Sequence, residues 1–480
     1  MTAYRDLIGG EWVEAADGAT FETRNPAHPD EVLGTFPQAT AQDAARAVAA
    51  AAEALPGWAA TPAPSRGAVL FRAAELLDER RDEVARTLTR EEGKTLAEAT
   101  AEVVRARDIL RYFAGEGWRR AGELLPANTA GAMLYSRREP LGVVAAITPW
   151  NFPIAIPAWK VAPALVYGDT VVLKPASATP LTALRLVECL VDAGLPAGVL
   201  NFVTGRGGVV GEALAADPVV RGLTFTGSHA VGAGIYGRAT QHFARVQLEM
   251  GGKNATVVLD DADLDLAVRL VVTGGFGLTG QSCTATSRVV VTEKVADRFV
   301  GRLAEAAAAL KVGDGLEPGV QMGPAASAEQ LATDLDYVAV AKEEGAELVA
   351  GGERLPGDGY FMQPTVFDHV DPHSRLAQEE VFGPVVAVIR ARDFDDALAK
   401  ANAVGYGLAA SVVTRDLRQA LAFVERVEAG VVKVNEPTTG LALQAPFGGF
   451  KDSSANTFKE QGPAAVEFYT RTKTVYVTYG

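Results

Sequence analysis

Cysteine is nearly absent: the chain has only Cys189 and Cys283 in 480 residues. A disulfide framework is therefore not supported, and a reducing compartment, the cytoplasm, is the expected location. Histidine is scarce as well, and the five residues (His28, His229, His242, His369 and His373) do not cluster. His369 and His373 are spaced like a helical ligand pair, but Pro372 argues against a shared face, so no metal is expected. A basic excess is also missing. Lys and Arg number 45 against 59 Asp and Glu, for a net charge of -14, which argues against sequence-independent nucleic-acid binding. No long apolar run is left unbroken. The most apolar stretch, Val143 to Tyr167, contains Pro149, Pro153, Pro157, Pro163 and Lys160, and reads as a buried, turning segment with no membrane association. The N-terminus, Met-Thr-Ala-Tyr-Arg-Asp-Leu-Ile-Gly-Gly, lacks the apolar stretch of a signal peptide.

What is present is ample material for packed domains. Hydrophobic residues make up 48 %, and the length implies two or three domains. Residues 1–37 read as short strands and hairpins, with turns at Gly9-Gly10, Asp17-Gly18 and Asn25-Pro26. Helical periodicity follows over Asp43–Leu55, Pro64–Glu83, Asp82–Glu92 and Thr95–Arg120. Arg105 and Arg107 interrupt the last of these. They fit a solvated helix face, or, for Arg105, a cation facing a substrate tunnel. Leu124 to Pro140 is polar and strand-like, as in a ribbon leaving its domain.

From Val143 the pattern alternates. Strands at Val143–Ile147, Thr170–Leu173, Leu200–Val203 and Gly222–Phe225 are separated by turns and helices. Such alternation predicts a doubly wound parallel sheet that binds ligands at the carboxyl ends of its strands. Two glycine loops follow such ends. Gly205 to Gly211 only approximates a dinucleotide fingerprint, whereas Thr226-Gly227-Ser228 follows a strand and opens a helix, whose free N–H groups suit a pyrophosphate. The acidic run Asp260 to Asp265 fails the calcium-loop pattern at Leu266 and Val272 and reads as helix caps. Residues 289–440 repeat the alternation as a second α/β domain. The tail, Phe468–Tyr479, alternates as a strand with little after it to pair with, an edge that suggests a covering subunit.

The chemistry concentrates in Leu248-Glu-Met-Gly-Gly-Lys-Asn254 and Gly280-Gln-Ser-Cys-Thr-Ala-Thr-Ser-Arg288. The thiol of Cys283 can attack a carbonyl carbon, and the Glu249 carboxylate can activate water to hydrolyse the product. Cys189 lies on the apolar stripe Leu184, Val187, Leu190 and reads as core.

These stretches, with Pro149-Trp-Asn-Phe-Pro153, Lys174-Pro175, Phe225-Thr-Gly-Ser228, Glu379-Glu-Val-Phe-Gly-Pro384 and Pro446-Phe-Gly-Gly449, resemble the aldehyde dehydrogenase superfamily, in the same order and over nearly the whole chain. The resemblance implies an α/β architecture with three parts. A Rossmann-like cofactor domain would comprise residues 1–123 and 141–249, and an α/β catalytic domain 250–457. A β-ribbon oligomerisation arm would comprise 124–140 and 458–480, giving a homodimer or homotetramer. It also implies that Cys283 is the nucleophile, with a lowered pKa an advantage. Asn151 and the Cys283 N–H would stabilise an oxyanion, and Glu249 would activate water. A retained Glu249 argues against acyl transfer to coenzyme A.

For the cofactor, NADP or NAD, the resemblance implicates Ile147, Trp150, Lys174, Ser177, Gly205, Gly211, Gly227, Ser228, Val231, Glu380 and Phe382. Many NAD enzymes of the superfamily carry Glu where this chain has Ser177, so NADP use is expected, beside NAD. Phe152 and Arg105 are the expected substrate residues. The runs Trp150–Lys160, Gly280–Arg288, 435–440 and 458–462 are most similar to the branch acting on 2,5-dioxopentanoate, whose carboxylate calls for a cation such as Arg105. Succinate semialdehyde is the nearest rival substrate, with aromatic or betaine aldehydes next. A catalytically silent protein on the same fold is the alternative of another class.

Overall fold

The computed structural model describes residues 2–119, 121–454 and 458–479. Two seven-stranded sheets dominate it. In the first, the spatial order is Arg245–Met250, Val220–Gly227, Val143–Ile147, Thr170–Lys174, Leu200–Phe202, Asp6–Ile8 and Glu11–Val13. The first five are parallel, and the two N-terminal strands add antiparallel at one edge. The chain moves outward from Val143–Ile147 in one direction, then returns to place Val220–Gly227 on its other side. That reversal opens a crevice at the carboxyl ends of the two central strands, where doubly wound sheets bind ligands.

In the second sheet the order is Glu347–Ala350, Thr365–Asp368, Val385–Ala391, Thr286–Thr292, Asn254–Val258, Ala409–Val413 and Val431–Val434. All neighbours are parallel except Glu347–Ala350. Its central strands are apolar along their length, as in Val289-Val290-Val291, because helices cover both faces. Only Gly251-Gly252-Lys253 separates the edge strand Arg245–Met250 of the first sheet from Asn254–Val258 of the second.

Local signals set the helix starts. Thr40 with Asp43, and Thr95 with Glu98, form capping boxes. Asp263 caps Leu264–Phe276 by accepting the N–H groups of Asp265 and Leu266, so the acidic run does serve as a cap. The expected helix Thr95–Arg120 spans Leu96–Glu116, and Arg120 lies outside the described residues. After Leu200–Phe202 the chain forms a π turn, Gly207–Gly211, running into the short helix Glu212–Ala216; three glycines in five residues weaken a regular helix start.

The polar ribbon forms a hairpin, Gly122–Leu125 with Ala132–Pro140. The tail strand Thr470–Thr478 pairs back antiparallel along all of Ala132–Pro140. It therefore has an intramolecular partner on one side and an open edge on the other. Phe468 and Tyr469, expected in that strand, end the helix Ala464–Tyr469 instead, because both rings are buried in the core beneath the first sheet. The expected boundaries at 457 and 480 lie outside the described residues. Among the described residues, no helix is long and apolar enough to cross a membrane.

Candidate active site

Cys283 lies half-buried just ahead of the strand Thr286–Thr292, while Glu249 lies near the end of Arg245–Met250. The short link between the sheets brings these ends together, and the two glycines allow it. A Cβ at Gly251 would collide with the Glu380 carboxylate. One at Gly252 would stand 2.8 Å from Asn254 Oδ1 and 3.0 Å from the Cys283 carbonyl oxygen. The turn is pinned by Asn254, whose amide donates to the Cys283 oxygen at 2.8 Å and to the Ala285 oxygen at 2.9 Å. Ahead of the thiol, Leu278 and Thr279 are left-handed at φ 53° and 57°. Such strain persists where surrounding contacts over-determine the backbone.

Asn151 is buried, and its Nδ2 donates to the Gln281 oxygen at 3.0 Å, which brings it to the cysteine loop. One amide N–H remains for an incoming oxyanion. Its own carbonyl accepts from Lys94 Nζ at 2.7 Å. Glu249 is buried. Its Oε2 accepts the Gly449 N–H at 3.2 Å, and its Oε1 has no partner among the described residues.

Electrostatics disfavour the charged form of both reactive groups. Burial and the carboxyl groups of Glu380, Glu249 and Glu460 push the Cys283 thiol up to about 12. The expected lowered pKa is thus not met here, because three acids and no cation dominate the thiol's surroundings. Burial and Glu460 push the Glu249 carboxyl well above its usual range, with Lys459 and Lys160 acting against them. Glu380, which accepts the Gly252 N–H at 2.9 Å, is raised to about 7 by burial.

The expected cofactor residues gather around the crevice. Gly211 lies 3.7 Å from Ile147 Cδ1 and 4.0 Å from Lys174 Cδ, measured from the Cβ that glycine lacks. Ser177 Oγ donates to the Gly205 oxygen at 2.9 Å, and Gly205 itself has φ 125°, which favours glycine. Lys174 is buried, donates to the Pro175 oxygen at 2.8 Å, and is lowered to about 8 by burial. On the strand Val220–Gly227, beyond Val143–Ile147 from Lys174, Gly227 leads to Ser228, which begins the helix His229–Ala239 without making a side-chain cap bond. Val231 is exposed in that helix's first turn. Across the crevice, Trp150 meets Phe382 edge-on at 5.3 Å between ring centroids. The buried Thr226 hydroxyl has no partner among the described residues. Open N–H groups, an unpaired hydroxyl and a buried lysine at strand ends fit a dinucleotide.

Phe152 packs beneath Lys94, whose Nζ stands 4.6 Å from the ring centroid. Arg105 donates to the Leu441 oxygen at 2.5 Å and to Gln461 Oε1 at 3.0 Å. Arg107, two residues on, pairs with Asp78 at 2.8 Å and Asp108 at 2.9 Å, as a solvated face would. Cys189 is buried in the core.

Sequence reasoning missed a set of buried charges. Lys160 pairs with Glu460 and donates to Thr224 Oγ1 at 2.8 Å. Lys459 donates to the Gly448 and Gly449 oxygens at 2.8 and 2.6 Å beside Glu249. Lys94 pairs with Glu102 at 2.7 Å. One signal was available: Lys160 is the sole charge in an otherwise apolar stretch.

A thiol, an amide donor and a buried carboxyl beside a crevice suited to a dinucleotide fit an oxidoreductase. The aldehyde dehydrogenase family model matches residues 12–475, and the chain belongs to that family. Membership makes it an NAD(P)-dependent enzyme acting on small-molecule aldehydes. It is 51 % identical to an alpha-ketoglutarate semialdehyde dehydrogenase of Haloferax volcanii, over 99 % of both chains. It is 47 % identical to an alpha-ketoglutaric semialdehyde dehydrogenase of Bacillus subtilis, over 99 % of this chain and 98 % of that one. A betaine aldehyde dehydrogenase of Staphylococcus aureus, solved in complex with NAD+, superposes with a TM-score of 0.96 at 35 % identity, covering 99 % of this chain and 95 % of that one.

Proposed function

We propose that this chain oxidises 2,5-dioxopentanoate to 2-oxoglutarate, with Cys283 as nucleophile. The observation that carries the chemistry is the meeting of Cys283, Asn151 and Glu249 at one loop crossing. The names of the two relatives given above support the substrate, as does Arg105, a partly buried guanidinium that donates to the neutral oxygens of Leu441 and Gln461.

The Cys283 thiol passes its proton to water, and its sulfur bonds to the aldehyde carbon. The carbonyl oxygen becomes an oxyanion that accepts from Asn151 Nδ2 and the Cys283 N–H. A nicotinamide held in the crevice would supply the hydride acceptor. The carbon, having lost hydride, is left as a thioester to Cys283. Glu249, once ionised, takes a proton from water, whose oxygen attacks the thioester carbon. The C–S bond then breaks, releasing the acid and the thiolate. Lys459 beside Glu249, and the Lys160–Glu460 pair behind it, oppose or favour that ionisation by charge. Ile147, Trp150, Lys174, Gly205, Gly211, Gly227, Ser228, Val231, Glu380 and Phe382 hold the cofactor. Ser177 places no carboxylate where a 2′-phosphate would lie, so NADP is accepted beside NAD. We further propose a homodimer or homotetramer built on the open edge of Thr470–Thr478, and a cytoplasmic location in keeping with the two unpaired cysteines.

The test is kcat/KM for 2,5-dioxopentanoate, succinic semialdehyde and pentanal, each with NAD and NADP. A clear preference for the oxo acid is expected. Equal or better turnover of pentanal would remove the substrate reading, and NAD far above NADP would remove the cofactor reading. A monomeric mass in solution would refute the oligomer.

A further inference from the structure

Behind the cysteine loop lie two buried cations, and among the described residues neither bonds a carboxylate. Lys253 ends the glycine link between the sheets. It is 2 % exposed, and its Nζ has no partner among the described residues. Arg288, on the strand Thr286–Thr292, is 1 % exposed. Its Nε donates to the Lys253 oxygen at 2.9 Å, while Nη1 and Nη2 donate to the Lys400 and Ala401 oxygens at 3.2 and 2.9 Å. All three acceptors are neutral carbonyls, and two of the five guanidinium N–H groups are left over. The cations are near enough that Arg288 works against the charge on Lys253.

The acids that act on Lys253 are Glu380 and Glu379, and both are engaged elsewhere. Glu380 accepts the Gly252 N–H at 2.9 Å, and Glu379 pairs with Arg375 at 3.0 Å. Lys253 and Arg288 line a cleft of about 10 Å³ with Tyr406 and Glu428. Glu428, exposed at its rim, pairs with Lys451 at 2.5 Å. Asn402 forms part of the wall: its Oδ1 accepts the Glu428 N–H at 2.9 Å, and its Nδ2 donates to the Arg426 oxygen at 3.0 Å. Such a space holds one water or one small ion, and is too small for sulfate or a carboxylic acid. A buried charge is costly unless paired, so an orphan ammonium beside an unneutralised guanidinium favours an anion between them. The position matters for the site. Asn254, next to Lys253, donates to the Cys283 oxygen at 2.8 Å.

We propose that Lys253 and Arg288 form a binding site for one inorganic anion of chloride's size, which steadies the link between the two sheets behind Cys283. This inference is independent of the substrate reading. Burial, and then Arg288, lower Lys253 to about 7, with Glu380 and Glu379 acting the other way. An anion favours the charged amine, so ion and proton enter together. Binding is full on the acid side of that value and fades as pH rises through it. The test is Tm at slightly acidic pH as chloride replaces gluconate at constant ionic strength. Relative to Lys253→Met, the wild type should gain roughly 1 °C for each tenfold of chloride above its Kd, and the gain should shrink at alkaline pH. No gain relative to Lys253→Met, or a gain that grows at alkaline pH, overturns the proposal. Where Lys253→Met fails to fold, wild-type crystals soaked in bromide decide instead. An anomalous peak within hydrogen-bond reach of Lys253 Nζ is expected there, and a cleft without one overturns the site.

Discussion

Two buried charge clusters flank Cys283, and they differ in how completely their atoms are bonded. On the Asn151 side, Lys94 donates to Glu102 and to the Asn151 oxygen, both at 2.7 Å, and lies over the Phe152 ring. The other Glu102 oxygen accepts the N–H groups of Ile154 and Ala155 at 3.1 Å, fixing the start of the next helix. Burial works against the charge on Lys94, but Glu102 and Glu92 outweigh it and raise its pKa. On the Glu249 side, Glu249 Oε1 and Glu460 Oε2 both lack a partner among the described residues, whereas on the Asn151 side only Glu92 Oε1 does. Burial lowers the Lys459 pKa there. In a low-dielectric interior, a bonded network locks one geometry, whereas open lone pairs leave room for water and a mobile proton. Under the proposed mechanism, the first cluster would position the oxyanion donor and the second would handle the proton.

Four measurements press on that contrast. The largest effect belongs to the thiol between the clusters. Cys283→Ala should lower aldehyde turnover by roughly 10⁴-fold or more, with no burst of reduced cofactor; a residual burst would disprove its role. Glu249→Gln should retain a burst of about one equivalent while steady turnover falls roughly 10²–10⁴-fold, since only hydrolysis loses its base. Loss of the burst as well would merge the two clusters into one function. Lys94→Met leaves two acids buried without their cation. It should cost about 3–5 kcal/mol of stability in denaturant unfolding, the usual penalty for breaking a buried pair; an unchanged midpoint would mean that the pair does not hold the loop. The smallest effect is a shift in pH dependence. Burial and then Glu460 raise the Glu249 pKa, and a general base works only when ionised. Glu460→Gln should therefore move the rising limb of thioester hydrolysis to lower pH, and a shift to higher pH would reverse the assignment.

The legible part of this molecule was local. The Val-rich strand at 289–291, the turn residues and the Asp263 cap each carry their own structural preference. Arg105 and Arg107 show where that ends. They share a helix and a residue type, yet one pairs with Asp78 and Asp108 while the other turns to Leu441 and Gln461, more than 300 residues away in the chain. Nothing in a helical period distinguishes those two faces, because the discriminating acceptors come from a distant segment. The Cys283 environment was equally out of reach. A thiol's ionisation depends on which charges fold around it, and Glu380 and Glu460 lie about a hundred residues or more downstream.

By itself, the sequence determined the alternation that builds two parallel sheets, the glycine link between them, and the identity of the thiol, amide and carboxylate, since periodicity and residue chemistry are properties of short segments. Only the tertiary structure decided which buried charges are bonded and which are left open. Desolvation and hydrogen bonding are set by the three-dimensional neighbourhood, and Lys94, Lys160, Glu460 and Gln461 acquire their partners through contacts the chain order does not reveal.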